Sequence, residues 1–294
     1  IKYSVMDEQM HRTDSGAVPT PQDTQAQFLD AVYRLYAPHK DEVSGIAMAL
    51  PGFVDNRTGY VSNGGALLYN TATPVGQLLA EKCGCPVILE NDGKAAAMAE
   101  LANGALKDCC NAAVFIIGTG VGGGIIANGQ LVRGVHFTAG EYSFVNTNAE
   151  AWDAPDQNMA CQCSTSNLLK WYRARKALPE DAPLDGRSFF AAANAGEPEA
   201  LEVLRRFCHA VAVQIYNLTV LLDVEKVAIG GGISKQPLLL ESLRSAYDGL
   251  YASRAGQAYM EGLPRCQIVP CAFSSEANQV GVAAAYFEAM QKKC

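Results

Sequence analysis

The sequence predicts an α/β fold with a substantially parallel sheet, because short apolar runs alternate with amphipathic helical stretches through its first half. Four such runs are candidate strands, at residues 2–6, 44–50, 87–90 and 112–117. Two helices are expected between them, over residues 24–36 and 74–83. Asp23 is the expected N-cap of the first helix, and the second ends at Gly84.

The second half keeps the same alternation after a cluster of glycines at residues 118–124. Apolar pairs on either side of Asn128-Gly129 predict a tight hairpin, since both residues accept the positive φ of a type I′ turn. A long helix over residues 197–222, a buried strand over 227–229 and a last helix over about 276–290 follow. Residues 145–165 are expected to be irregular.

Composition and charge narrow the class of protein. The 294 residues are 49% hydrophobic and 18% charged, which is typical of a globular protein with a substantial core. The net charge is −7 and no Lys/Arg-rich run occurs, so neither a nucleic acid nor an anionic membrane is an expected partner. No apolar run approaches the roughly 18 residues of a membrane span, and no signal-peptide pattern opens the chain. The ten cysteines are scattered, which favours free thiols and a cytoplasmic location.

The first candidate site is Glu90-Asn91-Asp92, which follows an apolar run and opens an alanine-rich helix. Open α/β sheets bind ligands at such strand-to-helix junctions. A kinase needs a carboxylate there to take the proton of an attacking hydroxyl, with an amide beside it to orient the substrate. Asp92 could equally be a simple N-cap, and the spacing leaves both interpretations open.

Two glycine segments are candidate nucleotide contacts. Gly118-Thr119-Gly120 would let the backbone approach phosphate oxygens, with a hydroxyl donor from the threonine. A hairpin follows it, which excludes a dinucleotide fingerprint, and no Gly-Lys-Ser/Thr of a P-loop is present. The segment from Gly230 through Gly231 and Gly232 to Ser234 follows a buried strand and could bind the adenosine end of a nucleotide. Both segments could also be plain glycine-rich turns.

Two further features are weaker indications of a ligand site. Glu141, between a glycine and an aromatic residue, could accept hydrogen bonds from sugar hydroxyls, although a lone glutamate near a turn is more often just solvated. Cys161-Gln162-Cys163 lacks the two further ligands that a structural zinc requires, so ordinary thiols are favoured.

Taken together, these segments resemble the ROK family of bacterial sugar kinases and sugar-responsive repressors. Five motifs in order carry the resemblance across nearly the whole chain: residues 50–55 (Leu-Pro-Gly-Phe-Val-Asp), 90–92 with Ala95, Ala96 and Glu100, 118–124, 139–141 and 230–234. Any one of these motifs is weak, but the ordered set is specific.

The resemblance implies a fold and an assembly. The fold is α/β, with two actin-like (ribonuclease H-like) lobes and a central cleft. Residues 1–104 would form a small N-terminal lobe onto which a C-terminal helix, residues 277–294, packs back, and residues 105–276 would form the large C-terminal lobe. The resemblance also implies ATP and Mg²⁺ as cofactors and a homodimer as the assembly.

The resemblance also implies residue roles. Asp92 is expected to be the catalytic base, with Asn91 and Glu141 as sugar ligands and with Gly64 and Gly65 lining the sugar pocket. The second phosphate loop is expected at Gly118, Thr119 and Gly120. The adenosine loop is expected at Gly230, Gly231, Gly232 and Ser234.

Three departures from the family pattern bear on these expectations. The opening phosphate loop, Asp-x-Gly-Gly-Thr, is absent before Ile1, and truncation of the sequence is the expected reason. The histidine of the usual Gly-Glu-x-Gly-His is replaced by Phe144. The cysteine-rich zinc loop is reduced to Cys161-Gln162-Cys163, so no structural zinc is expected.

The expected function is that of an ATP-dependent carbohydrate kinase that phosphorylates a hexose or a hexose-containing sugar, at O6. The alternatives are a sugar-responsive transcriptional regulator of the same family and a catalytically inactive sugar-binding relative. Regulators carry an N-terminal helix-turn-helix domain, and the family pattern leaves only about 10 residues before Ile1, too few for such a domain. The sequence does not name the sugar.

Overall fold

The computed structural model describes residues 1–258 and 261–291, which form a mixed α/β protein. The strands in chain order are β1 (Lys2–Met6), β2 (Arg12–Ala17), β3 (Ile46–Leu50), β4 (Phe53–Asp55), β5 (Tyr60–Asn63), β6 (Val87–Asn91), β7 (Ala112–Ile117), β8 (Val121–Ala127), β9 (Gln130–Val132), β10 (Lys226–Gly230) and β11 (Gln267–Pro270). The α-helices are α1 (Gln25–Tyr36), α2 (Val75–Cys83), α3 (Asp92–Asn103), α4 (Met159–Gln162), α5 (Thr165–Arg175), α6 (Gly186–Asn194), α7 (Pro198–Leu222), α8 (Pro237–Ala252) and α9 (Ala277–Gln291).

The chain divides into two compact units. Unit 1 comprises Ile1–Asn103, Arg133–Ala139 and Ser275–Cys294, and unit 2 comprises Gly104–Val132 and Gly140–Ser274. The sequence-based division keeps residues 133–139 with the C-terminal lobe, whereas the structure groups them with unit 1. None of the helices in the described part of the chain is both long enough and apolar enough to cross a membrane.

In unit 1 the strands pair two by two. β1 pairs with β2 and β4 with β5, both antiparallel, while β3 and β6 run parallel. A core of nine apolar side chains fills the space between these strands and helices α1 and α2: Phe28, Val32, Leu50, Val54, Val61, Leu67, Val75, Leu79 and Leu89. Helix α9 packs so closely on α3 that a Cβ at Gly281 would lie 1.7 Å from the carbonyl oxygen of Ala95.

A cavity of about 580 Å³ separates β1 from β3 in unit 1. Consecutive residues of both strands line it, and side chains of α1 and α9, such as Phe28 and Tyr286, complete its walls. Successive side chains of a strand point to opposite faces, so a cavity next to one face would be lined by every second residue only. A cavity lined by consecutive residues faces the backbone edge of the strand. The buried Oγ of Ser4 has no hydrogen-bond partner among the described residues. The cavity therefore lies between two open strand edges.

Unit 2 is built on one continuous five-stranded sheet in the order β11-β10-β7-β8-β9. β11, β10 and β7 are parallel, and β8 and β9 add as antiparallel neighbours. Helix α7 contributes many of the buried core residues against this sheet, among them Phe207, Val211 and Ile215. The register pairs Gly230 with Ile116, so β10 and β7 end side by side.

The structure confirms two predicted strands and a predicted turn, and it contradicts a predicted helix cap. The first and fourth candidate strands have the predicted bounds, as β1 and β7. Asn128 and Gly129 adopt φ values of 53° and 71°, which confirms the predicted turn. The predicted cap of α1 is wrong, because Thr24 and not Asp23 accepts the N–H of Gln27. The segment expected to be irregular contains the short helix α4.

Candidate active site

The predicted base lies where β6 ends and α3 begins. Asn91 closes the strand, and its Oδ1 accepts the backbone N–H of Lys94 at 3.0 Å, three residues into the helix. This is the contact of an N-cap side chain. Asp92 is half-buried, and its Oδ1 accepts the N–H of Gly93 at 2.8 Å. The cap contact that the sequence allowed for Asp92 is thus made by Asn91.

Asn91 also connects this junction to the predicted sugar-pocket glycines. Its Nδ2 donates to the carbonyl oxygen of Gly52 at 2.9 Å. Gly52 has φ +90°, and a Cβ there would lie 2.7 Å from the nitrogen of Gly65 and 2.0 Å from the oxygen of Asn63. A Cβ at Gly64 would likewise lie 2.2 Å from the oxygen of Leu67. These glycines are required for backbone packing around Asn91. Since the amide of Asn91 has two donor hydrogens and two acceptor lone pairs, one of each remains for a ligand.

A buried ion pair supports the same junction from behind. The Glu90 side chain is only 2% exposed, and its Oε1 accepts the N–H of Asn91 at 3.0 Å. Its Oε2 accepts from Nε of Arg133 at 2.8 Å, and Nη2 of Arg133 reaches Sδ of Met98 at 3.5 Å. The sequence analysis missed Arg133, and its 43-residue separation from Glu90 gives no local signal.

In unit 2 the structure brings the two predicted glycine segments together. Gly118 to Gly120 follow β7, Gly230 ends β10 with Gly231 and Gly232 directly after it, and these two strands are parallel neighbours. Gly231 has φ +99°, and a Cβ there would lie 2.1 Å from the carbonyl oxygen of Ile117. Backbone therefore packs on backbone at the carboxyl ends of adjacent parallel strands, the edge at which α/β sheets bind ligands.

Two of these glycines have open space where a side chain would be. Among the described residues, no neighbouring heavy atom lies within 4 Å of a Cβ built at Gly118 or Gly232. Protein packing therefore does not demand glycine at either position, whereas close approach of a ligand to the backbone would. Thr119 between Gly118 and Gly120 is exposed. Ser234 closes its own turn, since its Oγ donates to the oxygen of Gly231 at 2.9 Å.

Glu141 is half-buried in unit 2, directly before a single helical turn at Tyr142–Phe144. Tyr142 anchors this turn, because its hydroxyl donates to the oxygen of Gly124 at 3.1 Å and its ring packs edge-on against Phe115. Complete burial raises the pKa of Tyr142. Phe144, in the place of the family histidine, is 70% exposed. The backbone that carries Glu141 is thus held by a buried aromatic anchor.

The two cysteines tested as metal ligands are dissimilar. Cys161 is partly exposed, while Cys163 is buried, and burial raises the pKa of Cys163 to about 12. Within residues 1–258 and 261–291, no group of three or more His, Cys, Asp or Glu side chains is arranged to hold a metal ion. The nine cysteines in that part of the chain are free thiols. Neither the cysteines nor the predicted site residues line the cavity between β1 and β3.

Solved structures define the class of fold. A ROK family protein from Streptococcus pneumoniae in complex with sucrose superimposes with a TM-score of 0.86 at 27% identity, over 99% of this chain and 95% of that one. A putative N-acetylmannosamine kinase from Listeria monocytogenes gives a TM-score of 0.87 at 25% identity, over 98% of this chain and 95% of that one. The protein therefore has the actin-like ATPase fold, as predicted.

The sequence profile described as "ROK family" matches residues 1–291, and the chain belongs to the ROK family. A β-glucoside kinase of Listeria innocua is 31% identical over 214 residues, which is 73% of each protein. An N-acetyl-D-glucosamine kinase of Vibrio atlanticus is 29% identical over 83% of this chain and 84% of its own. The resemblance drawn from the five motifs is confirmed.

Proposed function

We propose that this chain is an ATP-dependent sugar kinase that transfers the γ-phosphoryl group to a hydroxyl, O6, of a hexose or a hexose-containing sugar, with Asp92 as the base. Family membership and the sugar-kinase relatives support the reaction class over the regulator alternative. The observation that carries the base assignment is which of the two neighbouring side chains caps α3 at the β6–α3 junction. Asn91 makes the N-cap contact of the helix, and the neighbouring carboxylate of Asp92 is not used for it.

The proposed reaction needs little covalent chemistry from the protein. As the sugar oxygen forms its bond to the γ-phosphorus, its proton passes to the Asp92 carboxylate, and the bridging oxygen leaves with ADP. Asn91 and Glu141 would hold the sugar through hydrogen bonds, next to Gly64 and Gly65. Most of the rate would come from positioning the hydroxyl for in-line attack.

The nucleotide would bind to the two glycine segments of unit 2. Gly118, Thr119 and Gly120 would contact phosphate oxygens, and Gly230, Gly231 and Gly232 the adenosine end, with Ser234 closing that turn. The open space at Gly118 and Gly232 fits this assignment, since a ligand could approach the backbone there. Mg²⁺ would neutralise phosphate charge, and it commonly binds substrate phosphates and water with few protein carboxylates. No zinc is part of the proposal.

Replacing Asp92 tests the base. Asp92→Asn preserves an acceptor for the N–H of Gly93 but cannot take a proton, so we expect kcat to fall by about 10²–10⁴-fold with a small change in KM. ADP release across a panel of glucose, N-acetylglucosamine, N-acetylmannosamine and β-glucosides would identify the substrate for this comparison. Asp181→Asn, at an exposed position of unit 2, is the charge-matched control and should be neutral.

Two outcomes would contradict the proposal. Near wild-type turnover in Asp92→Asn would remove the base assignment. Hexose binding in calorimetry without ADP release from any member of the panel would instead favour the catalytically inactive relative.

A cytoplasmic homodimer completes the proposal. The dimer is the assembly that the family resemblance implies, and use of ATP as phosphoryl donor favours the cytoplasm. A mass of two chains in light scattering supports the dimer, and a mass of one chain contradicts it.

A further inference from the structure

We propose that Arg133 is a positioning residue for the phosphoryl transfer, acting by clamping the strand and the helix that meet at Asn91 and Asp92. The inference rests on the proposed function for its kinetic consequences. Its structural part stands on contacts within unit 1. Neither the family resemblance nor the five motifs includes this arginine.

The contacts of Arg133 lie on both sides of the junction. Its Nε donates to Glu90 on β6 at 2.8 Å, and its Nη2 reaches the sulfur of Met98 on α3 at 3.5 Å. Asn91 is the last residue of β6 and Asp92 is the first residue of α3. A single guanidinium therefore bridges the two elements whose relative placement orients the proposed base and the proposed sugar ligand. The planar fork of arginine suits such a bridge, because its donors have fixed directions.

The burial of the Glu90 carboxylate makes loss of this clamp costly. Glu90 is 2% exposed, and besides Arg133 its carboxylate accepts the N–H of Asn91 at 3.0 Å. Removing one partner of a buried ion pair leaves the other charge uncompensated, which is far more costly than losing a surface pair. Glu90 would then have to turn towards water and give up its contact with Asn91. The disturbance would reach Asn91 directly and Asp92 one residue later.

Arg133 also fixes the start of the loop that leads to Glu141. The N–H of Ala139 donates to the carbonyl oxygen of Arg133 at 3.2 Å, which closes residues 133–139 into a compact loop on unit 1. Arg57 stacks over the ring of Phe137 at 4.6 Å and holds the middle of that loop. Glu141 follows two residues after the loop closes. Because the bond from Ala139 goes to the backbone of Arg133, substitutions of the Arg133 side chain leave this loop closure in place and test the contacts at the junction.

Kinetics of three Arg133 variants test the clamp. Arg133→Ala should lower kcat/KM for the sugar by about 10²-fold, the scale of a 1 Å misplacement of reacting groups. KM for ATP should change little, because the proposed ATP contacts belong to unit 2. Arg133→Lys should restore part of the loss, since an ammonium can pair with Glu90, and Arg133→Met should not. The matched control is Arg175→Ala, which breaks the exposed Arg175–Glu202 ion pair of 2.9 Å and should be neutral.

A double-mutant cycle covers the case in which Arg133→Ala fails to fold. Glu90→Gln keeps an acceptor for the N–H of Asn91 and removes the buried charge, so the pair Glu90→Gln with Arg133→Met should be more active than Arg133→Met alone. Additive losses in this cycle would overturn the proposal, as would wild-type kcat and sugar KM in Arg133→Ala.

Amide hydrogen exchange separates this proposal from the proposed kinase activity. Arg133→Ala should speed exchange at Asn91 and Lys94, whose N–H groups bond to Glu90 and Asn91. This result would support the clamp even if no sugar in the panel were phosphorylated. Unchanged exchange at both amides would overturn the clamp even if the chain proved to be a kinase.

Discussion

The two units build their sheets in opposite ways. Unit 2 has one continuous sheet of five strands, and its central strand β7 has a neighbour on each side. Unit 1 has three separate strand pairs, and a cavity of about 580 Å³ separates the facing edges of β1 and β3. Backbone groups inside a protein are almost always paired, so in residues 1–294 the strand edges that face this cavity are a weak point that the continuous sheet of unit 2 lacks.

This difference bears on where the proposed chemistry lies. The proposed base and one sugar ligand belong to unit 1, which draws on three stretches of the chain, whereas the glycine segments belong to unit 2. The elements that carry Asp92 therefore depend on remote segments, since Arg133 bonds to Glu90 on β6 and α9 packs on α3. The glycine segments depend mainly on the register of two adjacent strands, β7 and β10. We expect unit 1 to be the more easily disturbed of the two.

Matched core truncations should show the largest effect. Phe207 in unit 2 is fully buried within a continuous core, and Phe207→Ala should cost about 3–5 kcal/mol of unfolding free energy. Phe28 in unit 1 is equally buried but lines the cavity, so Phe28→Ala removes fewer packing contacts and should cost less. Urea unfolding can follow unit 2 through its two tryptophans, Trp152 and Trp171, and the whole chain by circular dichroism. Equal costs would contradict the proposed contrast.

Two glycine-to-alanine substitutions in helices should change the free energy of unfolding by an intermediate amount, one lowering it and the other raising it. Gly281→Ala in α9 places a Cβ 1.7 Å from the oxygen of Ala95, and overpacking of this kind costs about 1–3 kcal/mol. Gly249→Ala in α8 meets no atom within 4 Å among the described residues, and it should stabilise unit 2 by about 0.5–1 kcal/mol. Thermal unfolding of both variants measures the difference. A stabilised Gly281→Ala would mean that α9 is not seated on α3.

Hydrogen exchange in the unsubstituted chain should show the smallest of the three differences between the units. Alternate amides of β1 and β3 that do not bond to β2 or β6 should exchange about 10²-fold or more faster than the amides of β7, which has partners on both sides. Two-dimensional NMR of a chain of residues 1–294 resolves these amides one by one. Slow exchange on both strands would show that the open edges are already paired in solution.

Much of the fold could be predicted because it depends on local patterns. Continuous apolar runs identified β1 and β7, and Asn128-Gly129 identified the hairpin turn. Strand β2 escaped detection because its sequence, Arg-Thr-Asp-Ser-Gly-Ala, is polar and mostly exposed. It is a strand only because β1 lies beside it, which is a tertiary effect that propensity does not encode.

At the site, the sequence does not show which of two adjacent residues makes a given contact. Asn91 and Asp92 are both good capping residues, and so are Asp23 and Thr24, and only the backbone geometry decides which of each pair makes the contact. The ion pair of Glu90 with Arg133 joins residues 43 positions apart, and no spacing rule predicts such a contact. The assigned roles of the site residues remain predictions for the experiments described above.

The seat of α9 on α3 has a consequence for synthesis on the ribosome. All of unit 2 is translated before α9, so that unit can fold while the chain is still growing. The helix headed by Asp92 emerges early but receives its partner only after unit 2 has been translated, because Gly281 must reach Ala95. Until α9 has been synthesised, the nascent chain therefore exposes an alanine-rich surface on α3.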